Sequence, residues 1–403
     1  MTKEKILLLV LASALFTHIM DFMIVMPLSP QLMRTFDISP QQFSFLVSAY
    51  TFTAGISGFI AAFAIDRFDR KNTLIVVYVG FTIGTLACGF APTYPILLIT
   101  RSMAGAFGGV LGALVLSIVS DVIPLERRAA GIGFVMAAFS VASVFGVPFG
   151  LYLSNVFNWQ APFLFLGGIG VALTIAIIFI VPSLRKHLEG DQQFNTPSKM
   201  LRAVFTNRNP LLGLLFTSVL MFGHFSVIPF IAPYMVGNVG FTEDQLFYIY
   251  LIGGGLTIFT SPWVGKMADK HGRLEVFTIF GALVMIPLLV ITHLTPVPLW
   301  IALCITGVFF ILANGRIVPS TTMVTSVIRP ENRGSFLSIR SSIQQISSGL
   351  AALLAGFIIS ETPSTITPGA KALVNYEYVG YIAIFFSAMV LIIARKLKVA
   401  KGA

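Results

Sequence analysis

Charge is what this sequence has least of. Only 10% of its 403 residues are Asp, Glu, Lys or Arg, against about a quarter in a soluble domain, which excludes a chain whose whole surface meets water. Cysteine is scarcer still. Cys88 and Cys304 lie in different halves, each inside an apolar stretch, so no disulfide framework is implied and both read as buried apolar thiols. Also missing are a phosphate-binding G-x-x-x-x-G-K-[ST], a metal-ligand cluster and a nucleophile elbow. The chain therefore reads as no enzyme and as needing no cofactor and no metal. Work done by it must draw on an ion gradient or on the gradient of whatever it moves.

What is present is apolar residue. Hydrophobic side chains make up 56% of the sequence and the mean hydropathy is +0.90. Charged or Pro/Gly-rich breaks divide it into twelve stretches able to cross a hydrocarbon core, which needs about 20 helical residues. They run near 6–28, 41–65, 73–91, 95–121, 131–154, 162–182, 210–236, 244–264, 275–294, 299–328, 335–360 and 376–394. The first is long and lacks a small-residue cleavage site, so it is expected to remain as a helix.

Positive charge orients the spans. With the N-terminus inside, 21 of the 26 Lys and Arg fall in cytoplasmic segments, only Arg34 and Lys371 fall outside, and Arg101, Arg316 and Arg340 lie within spans. One missed span would invert every later loop, so a bias this large supports both the count and the orientation. The same bias explains the net charge of +10, which faces anionic lipid and implies no nucleic-acid partner.

Within the first span, ALFTHIMDFMIVMP buries His18 and Asp21 three residues apart, on one helix face. An ionised carboxylate in hydrocarbon costs at least a few kcal/mol. Asp21 must then face a wet cavity, pair with a cation, or take up a proton; the plain alternative is a structural contact between helices. It is the only acid deep in any span. A proton is therefore the expected coupling ion, with His18 able to share it.

The longest internal loop, 183–209, divides the helices six and six, giving an expected organisation of 1–182, a linker 183–209, and 210–403. The halves repeat. AFAIDRFDRKNTL from Ala62 returns as GKMADKHGRLEV from Gly265, and SDVIPLERRAAG from Ser120 returns as TSVIRPENRGSF from Thr325. Matched order at nearly constant offset points to duplication of a six-helix unit.

At these residues the sequence resembles the major facilitator superfamily, and within it the twelve-helix proton-driven drug and metabolite exporters. The family's loop between the second and third helices reads roughly G-x-L-a-D-R-x-G-R-[RK]. Asp66, Arg67, Arg70 and Lys71 keep its charges, while Ala62 and Asp69 replace its glycines; the second copy keeps Gly265 and Gly272 with Asp269 and Arg273. The resemblance implies that these charges, with Arg128 and Arg333 of the second repeated loop, latch the cytoplasmic ends in the outward-facing state. A turn that merely obeys the positive-inside rule is the alternative.

On the fourth span, Arg101 with Gly105 and Gly108 resembles the family's R-x-x-x-G-x-x-G. Arg101 either snorkels to the interface or faces Asp21 and tunes its protonation. On the fifth, Gly146, Pro148 and Gly150 resemble the exporters' signature, with Val147 where the family places proline directly after glycine; a plain kink is the alternative.

Polar intrusions in the second half are His224, Asn314, Arg316, Gln344 and Gln345, read as lining a cavity. Phe22, Met23, Met26, Phe139, Phe145, Phe149, Met221, Phe222 and Phe225 supply an adaptable apolar lining. The expectation is an all-α integral membrane protein, twelve transmembrane helices in two pseudo-symmetric six-helix bundles around a midplane cavity. It implies a secondary transporter that exports a small amphipathic compound by proton antiport, a monomer in a bacterial inner membrane, multi-pass, with both termini cytoplasmic. Import by proton symport and a receptor without transport are the competing readings.

Overall fold

A computed structural model describes residues 3–64, 67–184, 204–328 and 333–400. Its backbone is almost entirely helical, as it must be where no water can satisfy peptide groups. Among the described residues twelve helices are long and apolar enough to cross a membrane: Lys3–Ile24, Pro40–Phe63, Arg70–Gly89, Tyr94–Val122, Leu125–Val156, Ala161–Ile180, Arg208–Val239, Glu243–His271, Arg273–Thr292, Leu299–Thr325, Phe336–Ile358 and Tyr376–Ala394. They are called the first to twelfth spans. The apolar runs locate them to within a few residues, apart from ends carried further by polar sequence. The eighth span continues through Lys266–His271 because charged side chains at a helix end can reach past the apolar core.

Helix starts follow local chemistry. Pro95 and Pro162 sit in the first turns of the fourth and sixth spans, where a missing N–H costs nothing. Thr242 and Gln245 close a capping box at the eighth. Interruptions also follow proline. The seventh span is built of Arg208–Phe225, Ile228–Tyr234 and a π-helical turn Met235–Val239, with Pro229 and Pro233 withholding donors. The fifth has a π-helical turn at Ala142–Gly146 directly before Pro148.

The chain forms two compact units. One is Met1–Val25 with Ala49–Thr196; the other is Met26–Ser48 with Pro197–Ala403. In the first unit Leu11, Leu74, Leu111, Val115, Val135 and Ile177 share one core, drawn from five spans. Elsewhere large apolar side chains point outward, among them Ile60, Val76, Ile99, Phe179 and Phe259. Such a surface suits hydrocarbon as its solvent.

The second unit also holds the only strands among the described residues. Ser360–Pro363 (β1) and Lys371–Val374 (β2) pair antiparallel between the eleventh and twelfth spans, Glu361 opposite Leu373. A short helix, Ser29–Phe36, joins the same unit. Its Arg34 forms a forked ion pair with Glu243, and Lys371 bridges Asp37 at 3.0 Å and Glu361 at 2.7 Å.

Candidate functional site

In the first unit the ionisable residues of the first and fourth spans meet. Asp21 is fully buried. Its Oδ2 accepts from Arg101 Nη1 at 2.8 Å and its Oδ1 accepts from Thr85 Oγ1 at 3.2 Å. The same Nη1 lies 3.3 Å from the Asp21 carbonyl oxygen. Arg101 is 1% exposed, so it does not snorkel outward; it neutralises the carboxylate within the unit. Its guanidinium carbon stands 4.3 Å above the Tyr50 ring, a cation–π contact that helps hold a desolvated charge.

Tyr50 extends this cluster to His18. The Tyr50 hydroxyl and His18 Nδ1 are 2.9 Å apart, and the two rings stack. His18 also meets the edge of Phe81, while Phe22 tilts onto Tyr50. Asp21, Arg101, Tyr50 and His18 thus form one continuous set across the first, second and fourth spans. Tyr50 and Thr85 were not anticipated. Their only sequence signal is an isolated hydroxyl in an apolar helix, which many packing residues share.

The glycines of the fourth span explain how this close assembly is possible. A Cβ on Gly105 would stand 2.3 Å from the Tyr50 carbonyl oxygen. One on Gly108 would stand 2.7 Å from the Tyr50 hydroxyl and 2.8 Å from His18 Nδ1, whereas one on Gly112 would meet nothing within 4 Å. A Cβ on Gly109 would stand 2.2 Å from the Ala54 carbonyl oxygen, so Gly105, Gly108 and Gly109 are needed for contact and Gly112 is not.

On the fifth span, Gly146 faces Met20 and Phe16, and Gly150 faces Ile24 of the first span. Pro148 is buried beside them. Phe149 turns the other way, half-exposed, its ring edge on Phe165 of the sixth span at 5.1 Å; Phe139 and Phe145 are exposed as well. No contact joins these three to the Asp21 cluster among the described residues. Met26 is buried, in the second unit.

In the second unit, Arg316 is fully buried. Nη1 donates to Ser387 Oγ at 2.9 Å, Nη2 donates to the Gly223 carbonyl at 3.0 Å, and Nη2 lies 3.4 Å from His224 Nδ1. His224 stacks on Phe309 and meets Phe225 edge-on. Asn314 departs from this group, donating to Ser261 Oγ on the eighth span. Gln344 and Gln345 are half-buried on the eleventh span, with no side-chain hydrogen bond recorded among the described residues.

The two copies of the charged loop differ in backbone. Asp66 lies outside the described residues. Asp69 stands at φ −58°, caps the third span by accepting from Lys71 N at 2.9 Å, and also accepts from Ser183 Oγ at 2.6 Å and Leu184 N at 3.2 Å. Its counterpart Gly272 has φ +97°, a region open chiefly to glycine. The departure from the family pattern is thus a change of turn with its own hydrogen bonds. Arg70 pairs with Asp121 and donates to the Ser117 carbonyl; Arg67 is exposed, Lys71 and Arg128 half-buried. Asp269 and Arg273 line a groove of about 430 Å³ with Gly272, Ser326 and Lys398. The Arg333 side chain lies outside the description.

The Major Facilitator Superfamily profile matches residues 11–352 and 226–401. The MFS-type transporter YceJ of Bacillus subtilis (strain 168) is 23% identical over 358 residues, 87% of this chain and 88% of its own. A bacterial homolog of the human lysosomal transporter Spinster, in an inward-facing unoccupied conformation, superimposes with a TM-score of 0.78 at 15% identity, over 98% of each chain. A D-xylose–proton symporter gives 0.74 at 15% identity over 96% of each. With this profile across the chain and twelve spans in the two-bundle architecture of these structures, the chain belongs to the Major Facilitator Superfamily and is a multi-pass secondary transporter.

Proposed function

We propose that this transporter exports a small amphipathic compound in exchange for protons, by alternating access, with Asp21 as the coupled-proton site. One observation carries the reading: the one acid deep in a span is buried in a neutralising contact with Arg101. Every other acid of the described spans lies in a terminal turn. Burial disfavours the charged carboxylate and the Arg101 cation favours it, so a change in either influence between conformations shifts the site between ion-paired and protonated. That is the property a proton carrier needs. His18, linked through Tyr50, is the second titratable group of the cluster and the route by which a proton can be shared.

The remaining assignments follow the same reading. The charged loops, with Asp66, Asp269, Arg67, Arg70, Lys71, Arg273, Arg128 and Arg333, act as the cytoplasmic gate. Phe22, Met26, Arg101, Phe149, His224, Phe225, Asn314, Arg316, Gln344 and Gln345 line the cavity or contact the substrate. The protein works as a monomer in the bacterial inner membrane with both termini in the cytoplasm, as its basic loops favour.

Everted membrane vesicles with an acid interior test this directly. Members of a panel of amphipathic dyes and drugs, added outside, should enter in exchange for protons and collapse the gradient, read by a pH-sensitive dye. Vesicles carrying Asp21→Asn should show no such collapse. If only compounds preloaded in the lumen release protons, the protein imports by symport; if none changes the gradient in either arrangement, coupled transport is wrong.

A further inference from the structure

Arg316 and Arg101 are both fully buried, but only one of them is neutralised. Arg101 meets the Asp21 carboxylate. Around Arg316 every hydrogen-bond partner among the described residues is neutral: a serine hydroxyl, a backbone carbonyl and an imidazole nitrogen. Its Nε–H has no partner among the described residues. The acids of the second unit's spans, Glu243, Asp244, Asp269, Glu275 and Glu377, all sit in terminal turns, and no ion pair to Arg316 exists among the described residues. A guanidinium does not shed its charge. The Gly223 carbonyl, near the end of the helix Arg208–Phe225, brings roughly half a unit of negative charge at most. A full counter-charge is missing.

His224 follows Asp21 by 203 residues, within the register of the repeated loops, whereas Arg316 follows Arg101 by 215. The second unit sets an imidazole, and no carboxylate, against a buried arginine of its own. His224 is half-buried while Arg316 is fully buried, so the imidazole is the more accessible of the two. Phe309 and Phe225 flank it with apolar surface.

We infer that Arg316, with His224 and Ser387, forms an anion subsite that takes the carboxylate of an amphipathic organic acid, the substrate class of this transporter. The inference rests on the reading of the chain as an exporter of amphipathic compounds. The free Nε–H and the adjoining Nη edge offer the parallel donors that a carboxylate accepts in a fork. The ligand's apolar body rests against Phe309 and Phe225. Arg316 thereby gains the counter-ion that its own unit omits.

The full-length protein in nanodiscs provides the test, by thermal unfolding and equilibrium titration without a pH gradient. Failure of proton coupling therefore leaves the result untouched. Benzoate, salicylate and octanoate are the probes, with benzyl alcohol as the uncharged control. Wild type should be stabilised by at least one of the acids and unaffected by the alcohol. Arg316→Gln should weaken that binding on the order of ten- to a hundredfold, while its unliganded melting temperature stays level or rises, since an uncompensated charge has been removed. Arg316→Lys, which keeps charge but loses the fork, should bind at an intermediate level. A lower unliganded melting temperature for Arg316→Gln would make the guanidinium a structural clasp on the seventh span and overturn the subsite. Equal binding of acid by Arg316→Gln, or no stabilisation of wild type by any of the acids, would overturn it too.

Discussion

Gly108 shows how single residues set the Asp21 cluster. The space it leaves is occupied by the Tyr50 hydroxyl and His18 Nδ1, so Gly108→Leu should separate the second and fourth spans and break the His18–Tyr50 contact. Overpacking of this kind typically costs about 1–3 kcal/mol. Gly112→Leu, one turn on and facing open space, should leave thermal unfolding in detergent unchanged; equal losses for the two would mean that general packing, and not this cluster, sets the requirement. The glycine motif was legible in the sequence, but which glycine meets which partner was not. That depends on Tyr50, whose partners His18 and Arg101 lie 32 and 51 positions away along the chain. Arg101 likewise had two readings, outward or towards Asp21, because helix periodicity fixes a face and not a neighbour.

The same scale decides the charged loops. Asp69→Ala should remove a helix cap worth about 1 kcal/mol and also the tie to Ser183 and Leu184, so a loss of roughly 1–2 kcal/mol is expected in thermal unfolding. Gly272→Ala should cost about 1 kcal/mol through its positive φ alone, while Gly265, whose missing Cβ faces open space, should accept alanine freely. A tolerated Gly272→Ala would contradict the backbone difference between the two loops.

At the level of elements, the hairpin after the eleventh span is the feature that the sequence did not disclose. Its strands are four residues each and carry no alternating pattern strong enough to read. Their support comes from the seventh span, where the π-helical turn Met235–Val239 presents Asn238 to β2. Asn238 Nδ2 donates to the Leu373 carbonyl at 2.9 Å, and Leu373 N donates to Asn238 Oδ1 at 2.8 Å. The amide side chain thus completes the strand edge, and Asn238→Ala should cost about 1–3 kcal/mol, seen as early loss of hairpin amide protection in hydrogen exchange.

Lys371 adds an electrostatic contribution to that hairpin. Hydrogen bonds first to Glu361 and then to Asp37 hold its ammonium above the ordinary lysine range. A raised base stabilises the folded form below its unfolded pKa, about 10.4, and loses the effect only as pH climbs past the folded value. Lys371→Ala should therefore cost the same at about pH 7 and pH 9, and less than about 1 kcal/mol because the pair is solvent-exposed. A cost that shrinks between those two pH values would contradict the assignment.

For the whole molecule, hydrocarbon as solvent made the architecture readable. Twelve spans and their limits follow from apolar runs because every backbone group must be satisfied within its own helix, and the duplicated loops add the two-bundle organisation. The chemistry was readable only in part. Asp21, His18, Arg101 and Arg316 stand out as ionisable groups in apolar sequence, yet the pairing of Asp21 with Arg101 and the lack of an acid beside Arg316 among the described residues are three-dimensional facts. Asn314 and Phe149 mark the same limit: their sequence context places them on a cavity, while their contacts to Ser261 and Phe165 on neighbouring helices come only from the fold.

The account stands on Asp21 as the proton carrier, and Asp21→Asn tests it most directly. Asparagine keeps an acceptor for Arg101 but cannot ionise, so it mimics the protonated state. The measurement is uphill transport in proteoliposomes under an imposed pH gradient, using a compound that collapses the gradient in vesicles with the wild-type protein, alongside downhill exchange of that compound at equal pH. Asp21→Asn should insert normally, lose uphill transport and retain measurable exchange. If the variant still concentrates the compound against its gradient at the wild-type rate, Asp21 is a packing residue and the proton passes elsewhere.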